Sequence, residues 1–355
     1  MFGFDLQLKP VGSSCNLDCK YPCYAKPFKT NHTKIMGSDV LDKAIKGCLE
    51  EGRNTAITYH GGEPTLAGIE FYRNLQKIIE KYKKPGQVVT QKMQTNATLM
   101  NEEFAQLLFN SGFLIGVSID GPEHIHGINR TDLNGNNSFS RAMEGLSILR
   151  QAGFEPSVIA TITKKTLKYV DEVFDFLIEN GFKEIQFSPV YDPDNNTFNI
   201  SSDKWFKYLE RIFDLWYQNG DPEISIVDID EVLAWMNPEI AVPLCSSNQG
   251  CINWVSIDPD GSIYPCAYFK SSMPYGNINE IDLKQVINIK TYQNYKKLFL
   301  TPPKKCSKCS YFKMCGNGCV ATRLKGNIPD PTGIYVYCQE RISLYEKIRD
   351  LYESD

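Results

Sequence analysis

A chain of 355 residues, 42% apolar and 23% charged, can bury one large core or two moderate ones, which excludes disordered and collagen-like classes. Its formal charge of −4, from 38 basic and 42 acidic residues, provides no sequence-wide attraction to nucleic acid or anionic lipid, so a small or peptidic partner is expected. The chain has no apolar run of about eighteen residues. Met1 to Pro10 lacks the basic head and apolar stretch of a signal peptide, so a cytoplasmic protein without a membrane partner is expected.

Twelve cysteines are the unusual quantity. A reducing compartment argues against structural disulfides, and the thiols crowd into two regions, which favours metal. Cys15, Cys19 and Cys23 lie near the start, and Cys245, Cys251, Cys266, Cys306, Cys309, Cys315, Cys319 and Cys338 in the last third. Cys48 stands apart in a helical stretch and reads as inert core, since cysteine is among the most buried residue types.

In chain order, β-rich runs alternate with helical patterns, as repeated βα units around a parallel sheet do. A first strand, Asp5 to Lys9, runs into the loop SSCNLDCKYPCYAKPF, where strand-end geometry presents Cys15, Cys19 and Cys23 to one iron cluster. Three ligands on a four-iron cubane leave one iron open, as reactive metal sites keep a vacancy. A redox disulfide and a zinc site are the alternatives; His32 is the only histidine in reach as a fourth zinc ligand. A helix over Asp39 to Glu51, a strand over Ala56 to His60 and a helix over Ile69 to Tyr82 follow. Between the last two lies HGGEP, where Gly61 and Gly62 let backbone come close to a ligand and Glu63 is an acceptor suited to an ammonium group.

The strand Val88 to Gln94 leads into QTNATL, with Asn96, and then a helix over Asn101 to Asn110. The strand Leu114 to Ile119 lies in VSIDGP, where the Ser118 hydroxyl can bond a ribose or a carboxylate. Arg130, in HGINRTD, has the planar fork that holds a carboxylate, the alternative being a solvated loop charge. A helix over Phe139 to Gln151, a strand over Ser157 to Thr163, a helix over Tyr169 to Glu179 and a strand over Glu184 to Pro189 complete six units. Gly112, Gly153 and Gly181 are placed as C-terminal caps.

A seventh helical pattern, Asp203 to Tyr217, carries Trp205, Phe206, Leu209, Ile212, Phe213 and Trp216 on a core-facing stripe. From Asp221 the periodicity breaks into short strands, turns and cysteines. Two domains are therefore expected, a barrel over 1–220 and a cysteine-rich domain over 221–355. DPDG at Asp258 to Gly261, between WVSI and SIYP, predicts a hairpin whose aspartates form the turn. Cys251 is followed by nine residues, Gly261, four residues and Cys266, and later by Cys306-x2-Cys309-x5-Cys315-x3-Cys319 and Cys338. A pair of zinc ribbons would also use such CxxC spacings.

The three-cysteine loop, HGGEP, QTNATL and VSIDGP, at four successive strand ends, together resemble the radical S-adenosylmethionine enzymes across the whole predicted barrel. The resemblance implies an α/β fold, an incomplete (β/α)6 TIM-like barrel whose open iron chelates the amino and carboxylate groups of S-adenosylmethionine. Electron transfer into the sulfonium then yields a 5'-deoxyadenosyl radical. Carried over by residue, it implies ligation by Cys15, Cys19 and Cys23 and cofactor contact by Gly61, Gly62, Glu63, Asn96, Ser118 and Arg130. The resemblance also implies an aromatic packed near the adenosyl group, a place open to Tyr21 or Tyr24. Lys20, Tyr21 and Pro22 separate the second and third cysteines, where the family pattern has two residues. One residue changes chain reach by at most about 3.6 Å, so the loop still closes on a cluster.

The later spacing resembles the SPASM extension of peptide-modifying radical enzymes. It implies a C-terminal cysteine-rich SPASM domain with one auxiliary cluster on Cys245, Cys251, Cys266 and Cys319 and another on Cys306, Cys309, Cys315 and Cys338. That makes three 4Fe-4S clusters, and full ligation of the auxiliary pair leaves them electron transfer. From LQLKP through the last cysteine the layout is similar to anaerobic sulfatase maturases, which oxidise serine or cysteine to formylglycine. In that group an aspartate follows the cysteine matching Cys266 and acts as base. Here Ala267 follows it, and a methyl group accepts no proton.

The preferred reading is a maturase of a ribosomally made peptide, forming a cross-link or an oxidised residue on a peptide or protein substrate. An external electron donor such as flavodoxin or ferredoxin is expected, and no catalytic base is assigned. A sulfatase maturase is the alternative. A non-catalytic iron-sulfur carrier and a zinc-ribbon adaptor are the readings from other classes. With only fourteen residues before Cys15, no separate N-terminal peptide-recognition domain is expected.

Overall fold

The structure is a computed structural model describing residues 3–21, 26–27, 34–50, 52–192, 198–237, 250–269, 272–325, 328–330 and 332–352. Cys23, Tyr24, His32 and Cys245 lie outside the described residues. Strands β1 (Asp5–Leu8), β2 (Thr55–Tyr59), β3 (Val89–Thr95), β4 (Phe113–Ser118), β5 (Ser157–Ile162) and β6 (Glu184–Pro189) fall where the apolar spacing predicts them. So do helices α1 (Ser38–Leu49), α2 (Ile69–Tyr82), α3 (Glu102–Asn110), α5 (Phe139–Gln151), α6 (Val170–Glu179) and α7 (Ser202–Asn219), with a short α4 (Glu123–Asn129) added. Burial alternates along β1, β2 and β5, the period of a strand with one face packed. Gly112, Gly153 and Gly181 all have positive φ, which a residue without a β-carbon adopts at no steric cost.

The chain packs as two units. The first comprises Met1–Ser118, Asn129–Pro156 and Ile252–Lys296. To its strands the last third adds β8 (Trp254–Ile257), β9 (Ser262–Tyr264) and β10 (Gly276–Asn277), numbered after β7 (Ser225–Ile226) of the second unit. The order is β10-β9-β8-β1-β2-β3-β4, parallel from β8 to β4 and antiparallel through β8, β9 and β10. The cysteine-bearing hairpin is thus part of the same sheet as the first strand.

That hairpin turns at DPDG as predicted, with Asp260 Oδ1 accepting from the Ser262 N–H at 3.0 Å. Asp258 does more than form the turn. Its carboxylate lies 3.3 Å from the Lys9 ammonium and accepts the Tyr264 hydroxyl proton, while Lys9 donates to Tyr264 Oη at 3.1 Å. All three are at most 3% exposed, and a charge so buried persists only when paired. Cys48 is buried on α1 and its thiol is pushed up by desolvation, in keeping with an inert role.

The second unit comprises Ile119–Ile128, Ser157–Cys251 and Lys297–Asp355. Its parallel strands are β5, β6 and β7. On α7, Trp205, Leu209, Ile212 and Phe213 are buried as the stripe predicts, with Trp205 stacked on Tyr208 at 5.4 Å. Beyond Asp221 the expectation of short strands and turns is corrected by α8 (Val227–Met236), α9 (Lys290–Leu300) and α10 (Cys338–Tyr352). Of these, α10 is rich in charge and its apolar stripe is narrow, burying Leu344, Tyr345 and Ile348. It is tied to α7 by Lys347, 2.7 Å from Asp214, and to α8 by an ion pair between Arg341 and Glu231. No helix among the described residues is long and apolar enough to cross a membrane.

On α8 the Asp228 carboxyl is pushed up to about 7, by burial first and by the Glu231 carboxylate next. Its ordinary value is 3.8, so between these limits the folded chain binds the extra proton and stability falls as pH rises. Urea midpoints measured from pH 5 to pH 8 should decline, and Asp228→Asn should remove that part of the slope. The same slope in the variant would mean that Asp228 is ionised throughout.

Candidate functional site

Beyond β1 the chain turns at Lys9 to Ser14 and enters the cysteine loop. The carbonyls of Gly12 and Ser14 accept the N–H groups of Gly62 (2.9 Å) and Glu63 (2.8 Å). This approach leaves no room for side chains: a β-carbon on Gly62 would stand 1.7 Å from the Ser14 oxygen. One on Gly61, where φ is +118°, would stand 2.3 Å from the Gly12 oxygen. The two glycines admit the cysteine loop to the end of β2.

Glu63 is 1% exposed. Its Oε1 accepts from Thr65 N (3.0 Å), Thr65 Oγ1 (2.6 Å) and Thr95 Oγ1 (2.7 Å), and its Oε2 from Asn96 N at 2.7 Å. Burial pushes the carboxyl up, and these donors act against that shift. Glu63 therefore latches the end of β2 to the end of β3, with lone-pair capacity left on Oε2. Asn96 turns its Nδ2 to Asn16 Oδ1 at 2.9 Å and to the buried Cys15 Sγ at 3.8 Å. The Leu17 N–H also points at that sulfur, at 3.4 Å.

Cys19 is half-buried in a stretch clamped on both sides, by Asp18 N to Thr131 O and Lys20 N to Asn129 O, each 2.8 Å. The clamp brings Arg130 beside the loop, its guanidinium 5.6 Å from the Tyr21 ring centre. Arg130 is 7% exposed, which corrects the alternative of a solvated loop charge. Ser118, at the end of β4, accepts from Gln94 Nε2 at 2.9 Å.

His60, the first residue of HGGEP, received no role from the sequence. Its Nδ1 accepts from the Gly61 N–H at 2.7 Å, and burial, then Lys9, lowers its pKa to about 4. The imidazole is neutral and fixed in one tautomer.

In the second unit, Cys306, Cys309, Cys315 and Cys338 line one cavity with Tyr311, Tyr335, Tyr345 and Arg341. Local turns place them: Cys309 N donates to Cys306 O at 3.0 Å, and Cys315 ends a helical turn capped by Gly316 in the left-handed region. Among the described residues, no three His, Cys, Asp or Glu side chains converge as a site for a single metal ion. Cys251, in the turn Gly250–Asn253, and Cys319 belong to the second unit, and Cys266, ahead of the turn Ala267–Phe269, to the first.

The chain matches the Radical SAM superfamily over residues 10–177 and SPASM, an iron-sulfur cluster-binding domain, over 249–310. A cysteine-type anaerobic sulfatase-maturating enzyme of Clostridium perfringens is 30% identical over 354 residues, covering 96% of this chain and 95% of the relative. The solved structure of native anSMEcpe with bound AdoMet and Kp18Cys peptide is 28% identical, with a TM-score of 0.87 over 99% of each chain. Streptococcus suis SuiB bound to S-adenosylmethionine shares the fold, at 18% identity and a TM-score of 0.68 over 94% of this chain and 76% of that one. These matches bear out the expected α/β class, a radical SAM fold with a C-terminal SPASM domain.

The tight approach at Gly62 sets a test. Gly62→Ala should cost about 1–3 kcal/mol in urea unfolding, the usual range for overpacking. Gly37→Ala, whose β-carbon would meet nothing within 4 Å, should cost less than about 1 kcal/mol. Equal losses in the two variants would show that the loop yields freely.

Proposed function

The chain belongs to the radical SAM superfamily, in the family of the anaerobic sulfatase-maturating enzymes, and from that premise we propose that it is a peptide maturase. It modifies a side chain of a peptide or protein after hydrogen abstraction, leaving a cross-link or an oxidised residue. The observation that carries this reading is the cradle around Cys15, where the cysteine loop, Gly61, Gly62, Glu63 and Asn96 are fastened to one another.

In this reading a barrel domain over 1–220 carries the reactive cluster on Cys15, Cys19 and Cys23. A SPASM domain over 221–355 carries two further 4Fe-4S clusters, on Cys245, Cys251, Cys266 and Cys319 and on Cys306, Cys309, Cys315 and Cys338. S-Adenosylmethionine held at the first cluster supplies a 5'-deoxyadenosyl radical. Glu63 Oε2 accepts from the cofactor ammonium, Arg130 holds its carboxylate, Ser118 bonds the ribose or carboxylate, and Tyr21 or Tyr24 packs against the adenosyl group. The backbone at Gly61 and Gly62 and the Asn96 amide complete the lining. Burial of Arg130 supports its part, because a guanidinium out of water favours an anionic partner. A flavodoxin or ferredoxin supplies electrons. The thiol-rich composition suits the cytoplasm, and the acidic charge balance suits a peptide better than nucleic acid.

A second reading, generation of formylglycine, is favoured by 30% identity along nearly the whole chain to a sulfatase-maturating enzyme. Against it stands Ala267, half-buried directly after Cys266, where that chemistry places a base.

After anaerobic reconstitution and reduction, the protein should release 5'-deoxyadenosine, and Cys15→Ala or Cys19→Ala should abolish the release. Undiminished turnover in either variant would remove the N-terminal cluster from the account. Mass spectrometry with fragmentation separates the readings: a cross-link or a serine oxidation removes two hydrogens and is told apart by where fragmentation locates the change, whereas cysteine conversion to formylglycine also removes sulfur. On a sulfatase peptide, Ala267→Asp should raise the rate of formylglycine formation at least a hundredfold, the lower end of the range of about 10²–10⁴ that general-base catalysis supplies. An unchanged rate would mean that the alanine is not the obstacle.

A further inference from the structure

Arg341 lies in the first turn of α10, three residues after Cys338. One end of its guanidinium, Nη1, stands 4.0 Å from Cys315 Sγ, and the other, Nη2, pairs with the Glu231 carboxylate on α8. Two rings hold the plane in place, Tyr335 at 5.3 Å and Tyr345 at 5.6 Å from the guanidinium carbon. The Arg341 side chain is 11% exposed and that of Glu231 1%. Arg341 lines both the cavity of the four thiols and a neighbouring cavity that holds Asp228 and Glu231.

An ion pair that served only to join α8 to α10 would not need its cation aimed at a sulfur. A planar guanidinium flanked by aromatic rings presents two donor edges in fixed directions, which an ammonium cannot do. Here one edge faces the carboxylate and the other faces a thiol proposed as an iron ligand. A buried cation with its counter-ion on the far side directs positive potential at the cluster, in surroundings where charges interact more strongly than in water. Hydrogen bonds to cluster sulfurs and local charge are among the factors that set iron-sulfur potentials.

We propose that Arg341 is a positioning residue that raises the reduction potential of the cluster held by Cys306, Cys309, Cys315 and Cys338. The proposal rests on the cluster assignment made above. The step concerned is the gain of one electron, from the 2+ to the 1+ state of the cluster, without proton transfer. In the enzyme that electron leaves the substrate radical and passes on to an oxidised flavodoxin or ferredoxin; in the test it comes from dithionite. The reduced state carries one more negative charge than the oxidised state, so a directed cation and an N–H···S bond favour it. Glu231 acts with the opposite sign from a greater distance.

The test is a redox titration of the reconstituted full chain, following the paramagnetic signal of the reduced cluster that disappears in Cys315→Ala, with iron content matched across variants. At the wild-type midpoint, Arg341→Met should lower the reduced-to-oxidised ratio about tenfold, equivalent to a shift of about 59 mV to lower potential for a one-electron couple. Arg341→Lys should shift in the same direction by less. Glu231→Gln, which keeps the arginine, should shift to higher potential; if Arg341→Met does not fold, these two milder variants decide by their opposite signs. Ratios within twofold of wild type in the arginine variants, or a downward shift in Glu231→Gln, would overturn the proposal while leaving the cluster in place. Absence of any Cys315-dependent signal in the wild type would overturn the cluster assignment and this proposal with it.

Discussion

The first unit is organised around a single backbone approach, the Ser14 carbonyl lying where a β-carbon of Gly62 would be. From that contact a closed circuit runs through the predicted motifs. Ser14 accepts from Glu63 N, the Glu63 carboxylate accepts from Asn96 N, and the Asn96 amide returns to the sulfur of Cys15, the residue after Ser14. The links are largely buried, and three of the four residues contribute backbone groups, so their positions follow from strand ends more than from rotamers. A loop held this way is pre-organised: the Cys15 thiol is oriented by its neighbours within the folded chain.

Most of this frame was legible because it is local. The six strands and their helices declare themselves by apolar period, and Gly112, Gly153 and Gly181 mark helix ends. The glycines of HGGEP were legible as places of close approach, but what approaches them is the cysteine loop, some forty-odd residues earlier in the chain. Glu63 was legible as an acceptor, while its four internal donors were not, since Thr65, Thr95 and Asn96 meet it only once β2 and β3 are paired. Helices α8 and α10 escaped notice because their buried positions include Glu231 and Arg341, which a search for apolar stripes counts as solvent-facing.

The two buried charge clusters share that cause and also a placement. Lys9 and Asp258 stand far apart in sequence, as do Glu231 and Arg341, so neither pair can be matched by spacing. In the first cluster Tyr264 precedes Cys266 by two residues; in the second Arg341 follows Cys338 by three. Each anchors a cysteine-bearing segment to a part of its own unit that lies earlier in the chain, β1 in one case and α8 in the other. Polar pairing fixes one arrangement more narrowly than apolar contact does, and the two cysteine-bearing segments share that constraint.

Ala267 shows how chemistry can change on a frame that does not. The turn Ala267–Phe269 is held by Phe269 N donating to Cys266 O at 2.9 Å, a backbone bond indifferent to the side chain at 267. Replacing a carboxylate by a methyl there removes a proton acceptor and leaves the turn and the preceding cysteine where they were. The Gly62 contact is the converse, since one added carbon displaces the loop that bears Cys15. Backbone contacts therefore fix where the two cysteine-bearing segments stand, while the side chain at 267 can vary without moving them.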